Sequence, residues 1–363
     1  MDRPYSYLLS AAVTASALSL SICAAAAERV EHAQSEQILA PLLAQANALA
    51  QSGHHEEAVP LLQRAVAIMR SQYGVWDLRQ QDTLKALANN LVAIDRVSEA
   101  QDLMIYRALA AEKSYGEGNP KVIPALCELG DFFSETGKAP EARMTFNVAL
   151  NIVGTTDSLM DPIIVEPLRG IARTYMRMMS YPDTWMMPLW MRGRVTREGE
   201  DALKRALRIL DADPSATTPQ TRIETLIQMG DWYQIRKSPP EALPYYQRAG
   251  QLIRTTPGLP SSVSTALNVP MRVYYPTPGF VAHIPPKAEE ARSHYVQVEF
   301  TVAADGSVTD ARIVDHDTRD RHARDILDAV RDSRFRPKFV DGQAVAAPGI
   351  TYREIFRTDK SET

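Results

Sequence analysis

Between about Ser35 and Arg254 the apolar residues recur with the 3.6-residue period of helices packed on one face. Leu39, Leu42, Leu43 and Ala46 mark a first helix, and Gly53 breaks it. Ala58, Leu61, Leu62, Ala65 and Ile68 mark the return. The pattern then repeats. Ala46, Ala88 and Gly130 stand at equal intervals of 42 residues. Each is followed by a second small residue (Ala58, Ala100, Ala142) and then by a bulky one (Leu62, Met104, Phe146). Gly230, Ala242 and Tyr246 repeat the same offsets further on. Small residues let two helices cross at close range, and a large neighbour fills the space beside the crossing. The spacing predicts a mainly α chain, an α-solenoid of about five helical hairpins over residues 35–254. The fourth hairpin is interrupted: Gly170 opens its first helix, and the matching second helix returns late, at Glu200–Leu210.

From Thr256 the pattern changes. Pro257, Pro260, Pro270, Pro276, Pro278, Pro285 and Pro286 exclude helix and favour extended chain. Residues 255–290 therefore read as a Pro-rich linker, with Val269–Tyr275 as a leading strand. Val296, Val298, Phe300 and Val302 then alternate with Gln297, Glu299 and Thr301, the period of a half-buried strand. Asp305-Gly306 supplies a hairpin turn and Val308–Val314 returns. Ala323, Ile326, Leu327 and Val330 form one helical face, which Phe335-Arg336-Pro337 ends. Lys338–Val340 leads into a turn at Asp341-Gly342, and Ile350–Arg357 reads as a last strand. Residues 291–358 are thus a small α/β domain in the order strand, strand, helix, strand, with 359–363 as a tail.

The first residues stand outside this pattern. Arg3 precedes an apolar stretch, Leu8–Ile22; Ala24–Ala27 follows, and Glu28 opens polar sequence. A basic start, an apolar middle and an Ala-x-Ala end describe a secretory signal peptide over 1–27, cleaved near Ala27. Two other readings stay open: an uncleaved membrane anchor, and a lipid on Cys23, for which Leu20 and Ser21 fit but the bulky Ile22 does not. Cleavage leaves Cys127 alone, between Leu126 and Leu129 on a helical face, so no internal disulfide is available and a buried apolar role fits.

Composition excludes several classes of function. Apolar residues make up 45% and charged ones 23%, with net charge −4. That is ordinary globular material, without the basic stripe of a nucleic-acid-binding protein. No small-molecule substrate or cofactor motif is present. His54-His55-Glu56-Glu57 lacks the spacing that puts two metal ligands on one helical face. Asp315-His316-Asp317 with His322 reads as a polar loop rather than a metal site, because no fourth ligand is evident. There is no glycine-rich phosphate loop and no Gly-x-Ser-x-Gly elbow. The expectation is no enzyme, no catalytic residue, no metal and no cofactor. The interrupted hairpin carries Tyr181–Met191, with two of the chain's four Trp and three of its thirteen Met. Trp185, Met186, Met187 and Trp190 read either as an adaptable partner-binding loop or as a lid folded over the helical core. Asn89, Asn90, Glu128 and Asp131 are candidate groove residues at exposed helix positions, with an ordinary solvated face as the plainer reading.

The helical part resembles the tetratricopeptide repeat, on Ala46/Gly53/Ala58/Leu62/Ala65, Gly130/Phe133/Gly137/Ala142/Phe146/Ala149 and Gly230/Tyr233/Ala242/Tyr246/Ala249. The long period, with Ser71–Gly74 and Ser114–Pro120 between hairpins, is similar to the kinesin-light-chain type of that repeat. The second copy departs from it, with Asp95 at the turn and Arg107 where Ala65 and Ala149 sit. The last quarter resembles the C-terminal domain of TonB, the periplasmic energy transducer, starting near residue 266. The residues carrying the likeness are Tyr275-Pro276, Val296–Val302, Asp305–Val308, Ala329–Pro337 and Asp341–Val345. Repeats of this kind imply protein partners held on a curved surface. The TonB likeness implies capture of an extended segment of an outer-membrane receptor, or of another envelope protein, as an added strand. That role falls to Thr351, Tyr352, Arg353, Glu354, Ile355 and Phe356. The reading is a periplasmic adaptor. The alternative is a TonB-type energy transducer of outer-membrane transport, with the N-terminal segment retained as its anchor.

Overall fold

The computed structural model describes residues 37–154, 160–180, 189–215, 217–278 and 291–359, with the backbone alone at 189–196, 291–292 and 358–359. The expected leader, Cys23 included, lies outside the described residues. Among those residues no helix is long and apolar enough to cross a membrane. Two compact units divide at Phe132/Phe133.

The first unit holds α1 (residues 37–51), α2 (His55–Tyr73), α3 (Gln81–Ala93), α4 (Val97–Tyr115) and the start of α5 (Ile123–Glu135). The residues at the predicted crossings are buried: Ala46, Ala58, Ala88 and Ala100 beside Leu62 and Met104. The second unit continues with α6 (Ala139–Ile152), α7 (Val165–Ser180), α8 (Leu189–Ala212), α9 (Pro219–Ile235) and α10 (Pro239–Thr255). There Ala142, Phe146, Ala242 and Tyr246 are fully buried. At Gly230 an added Cβ would overlap the ring of Tyr246, so this crossing admits only glycine.

Four hairpin turns share one geometry. Gly53, Asp95, Gly137 and Lys237 all have positive φ (81°, 62°, 78° and 58°). The N–H of the next residue bonds the carbonyl five back in each: His54 to Leu49, Arg96 to Leu91, Lys138 to Phe133 and Ser238 to Tyr233, at 2.8–2.9 Å. This is the Schellman closure of a helix end. Asp95, which departs from the glycine pattern in sequence, still takes the left-handed conformation. A second periodic device precedes the first helix of three hairpins. Asp77, Asn119 and Asp161, again 42 residues apart, each accept a hydrogen bond from the N–H two residues on and cap a 3₁₀ turn. This step puts Ala172, fully buried, at the fourth small-residue position. Gly170 is therefore an interior residue of α7 and not its start. The returning helix also begins earlier than Glu200, at Leu189.

After α10 come α11 (Ser261–Ser264), β1 (Met271–Tyr274), β2 (Ala291–Val302), β3 (Val308–His316), α12 (Asp320–Asp332), β4 (Arg334–Arg336), β5 (Lys338–Val340), β6 (Gln343–Val345) and β7 (Ala347–Asp359). The Pro-rich stretch thus contains one helical turn. Pro260 stands at its N-cap, where the missing N–H costs nothing. The antiparallel main sheet has the order β3-β2-β7; β1 pairs with β4 and β5 with β6. Val296, Val298, Phe300 and Val302 meet Ala323, Ile326 and Val330 of α12 in one core with Phe335 and Phe356. The period-two and helical faces read from sequence are those that pack. One expectation is overturned: Phe335-Arg336 does not end a helix. The chain turns extended at Ser333, and Phe335 N–H bonds the Gly306 carbonyl at 2.9 Å, so these residues form β4 against β1.

Candidate functional site

β7 is long enough, at 13 residues, to line the whole length of β2. Its register against β2 runs without a break from Asp359 opposite Ala291 to Ile350 opposite Phe300. Alternation sorts its side chains. Phe356 is buried in the core, with Tyr352 and Glu354 half-buried on the same face. Thr351, Arg353, Ile355 and Arg357 are exposed on the opposite face, and Ile355 keeps 64% of its surface. Among the described residues no strand pairs with the far side of β7. β3 ends the sheet on its other side, but two register shifts against β2 interrupt it. Such irregularities blunt an edge, whereas a long regular strand is a template for further pairing.

The inner rim of β7 is aromatic. Tyr275 and Tyr352 meet edge to face, with centroids 5.7 Å apart. The Arg272 guanidinium lies over both rings, at 4.6 and 4.4 Å. The Tyr352 hydroxyl donates to Glu354. Burial first, and then that carboxylate, raise the Tyr352 pKa; burial also pushes Tyr275 up. Both phenols stay neutral at physiological pH.

The C-terminal domain is fixed to the last hairpin by a buried polar junction through β4. Arg336 of β4 donates to Asp231 of α9 through Nε (3.0 Å) and Nη2 (2.6 Å). The Tyr246 hydroxyl of α10 donates to the same carboxylate at 2.8 Å, and Arg336 Nη1 donates to the Ala266 carbonyl at 3.1 Å. Burial works against the charge of Arg336. The Asp231 carboxylate and its hydrogen bonds outweigh that cost and hold the guanidinium above its ordinary pKa. Around this pair, Gln234 donates to the Asp305 carbonyl (2.7 Å) and Phe339 N–H to the Leu267 carbonyl (2.8 Å). Phe339 packs edge-on to Tyr246. At Gly306, with φ 85°, a Cβ would strike the Phe335 carbonyl and Gln234.

The six predicted strand residues therefore lie together on one outer strand. Trp185, Met186 and Met187 lie outside the described residues, and Trp190 is described only as backbone within α8. Of the groove candidates, Asn89 is exposed and Asp131 half-buried. Asn90 is not exposed as expected. It is buried, with Oδ1 against His55 Nδ1 at 2.8 Å and Nδ2 donating to the Ala86 carbonyl. Glu128 is held by Lys85 (2.9 Å) and Arg107 (2.5 Å). His316 and His322 both turn Nδ1 toward Thr318, at 3.0 and 3.4 Å. No group of three or more metal-ligating side chains gathers among the described residues. Sequence reasoning missed Asp231 and Arg336, which meet across 105 residues with no local signal.

Residues 285–355 match the family model described as Gram-negative bacterial TonB protein C-terminal. No curated protein matches the chain. Solved structures similar to it include BtubC (BKLC) from P. vanneervenii, at 15% identity and a TM-score of 0.44, covering 62% of this chain and 84% of that one. Another is the Podosopora anserina putative kinesin light chain nearly identical TPR-like repeats, at 18% identity and a TM-score of 0.43, covering 61% and 97%. The described residues form a series of helical hairpins, similar to TPR-like repeats, followed by a TonB-type C-terminal domain. The C-terminal match suggests an envelope protein that acts through protein partners.

Proposed function

We propose that this protein is a periplasmic adaptor. Its helical repeats hold one protein partner, and its C-terminal domain takes an extended segment of another as a strand beside β7. The partner of β7 is an outer-membrane receptor or a similar envelope protein. The observation that carries this reading is the regular outer side of β7, which no described strand covers. A guest strand would satisfy its N–H and C=O groups. Residues 1–27 serve as an export signal removed near Ala27, and Trp185, Met186, Met187 and Trp190 add an adaptable apolar contact for the first partner. The buried junction of Arg336 with Asp231 favours an adaptor over a tethered transducer, because it seats the domain that carries β7 on the last hairpin through β4 instead of at the end of a free spacer.

The test is site-specific photo-crosslinking of the full chain in cells. A crosslinker at Ile355 should yield a discrete adduct with an envelope protein, and one at Val314 on β3 should not. Equal adducts from both positions, or none from Ile355, would overturn the reading. N-terminal sequencing of the protein from fractionated cells should give a chain beginning near Glu28. An intact Met1 in membrane fractions would support the transducer instead.

A further inference from the structure

The outer face of β7 carries two arginines that no carboxylate among the described side chains of its sheet answers. Arg353 and Arg357 flank Ile355 at alternate positions, and all three are exposed. Their register partners on β2 are Gln297, Ser293 and Tyr295, none of them acidic. The carboxylate of β2 on this face, Glu299, is taken by Arg312 of β3 at 3.2 Å. Tyr295 spends its hydroxyl on Asp315 and offers its ring to Arg353, at 3.7 Å. Among the described residues neither arginine has a carboxylate partner.

From this we infer the chemistry of the guest, resting on the strand-addition reading above. The edge selects an extended protein segment with an apolar residue flanked, at alternate positions, by two acidic ones. Side chains directly opposite on neighbouring strands lie within about 5 Å, so like charges there repel and opposite charges attract. A guest beside β7 sets every second residue against Arg353, Ile355 and Arg357. An acidic–apolar–acidic series answers all three. It reads the same in both directions, so it fits a parallel or an antiparallel guest. The same arginines disfavour a second copy of this chain as occupant. In an antiparallel β7–β7 pair centred on Ile355, Arg353 would face Arg357 twice. Charged side chains on an edge are a common device against self-association.

The probes are blocked nonapeptides, Ser-Thr-Glu-Thr-Ile-Thr-Glu-Thr-Ser and its versions with both Glu changed to Gln or to Lys, titrated onto the full chain by fluorescence anisotropy. The Glu peptide should bind on the order of tenfold more tightly than the Gln peptide, with the Lys peptide weakest. The gap should narrow as salt rises, because these charges are exposed. The R353E/R357E chain should prefer the Lys peptide, and the R353K/R357K chain should keep the original order. Amide exchange across β7, read in the same samples, separates the two claims. If all three peptides protect β7 equally and bind alike, the charge rule is wrong and strand addition stands. If none protects β7, strand addition fails as well.

Discussion

Two sides of the C-terminal domain show opposite uses of polar groups. On the side of the last hairpin, Arg336, Asp231, Tyr246 and Gln234 are buried and turned toward one another or toward backbone carbonyls. On the far side of β7, Arg353, Ile355 and Arg357 face outward. Burial makes a polar group costly unless it is paired, so the first side closes into one arrangement. Exposure leaves the second side available to a partner. Among the described residues the domain is thus fastened at one margin and open at the other.

The difference can be broken at graded cost. Asp231→Ala should have the largest effect, about 3–5 kcal/mol, because it leaves Arg336 charged and buried without its partner. Denaturant midpoints measure it, and D231A/R336M should recover part of the loss. Gly230→Ala comes next: the new methyl overlaps the enclosed ring of Tyr246, an overpacking cost of about 1–3 kcal/mol. Acid should weaken the fastened side as well. Burial raises the Asp305 pKa, but hydrogen bonds from the Ser307 hydroxyl and N–H outweigh this and hold it below the ordinary 3.8. A lowered folded pKa contributes stability above the unfolded value and loses it as pH falls through the folded one. Denaturation midpoints should therefore drop below about pH 3.8, and D305N should flatten that part of the profile. The smallest effect belongs to the open side. Ile355→Thr or Arg353→Glu should shift stability by about 0.5 kcal/mol or less. A loss well beyond that would mean β7 is an interior strand.

The same contrast explains what could be read from sequence. The repeats were legible because helix crossings demand small residues at Ala46, Ala58, Ala88 and Ala100, and composition records that demand directly. The strand faces were legible because Val296, Val298, Phe300 and Val302 alternate. Asp95 and Lys237 were harder, since a left-handed turn at a residue other than glycine leaves no mark in composition. Asp77, Asn119 and Asp161 carried a periodic signal that reasoning from apolar residues passed over. β4 was misread because Phe335-Arg336-Pro337 looks like a helix stop, and only pairing with β1 makes it a strand. The pairing of Arg336 with Asp231 was invisible because it depends on the packed fold rather than on local spacing. At the candidate site the strand itself was legible as a β-rich run, whereas its outer position in the sheet follows from the order β3-β2-β7.

Residue-resolved amide exchange on the full chain tests the closed-and-open arrangement most directly. The account predicts that the Phe335 and Phe339 amides, bonded to Gly306 and Leu267, exchange only through global unfolding. Alternate β7 amides, those turned away from β2, should exchange as though unstructured until a guest strand is added. Slow exchange at every β7 amide in the free protein, or rapid exchange at Phe335 and Phe339, would contradict it.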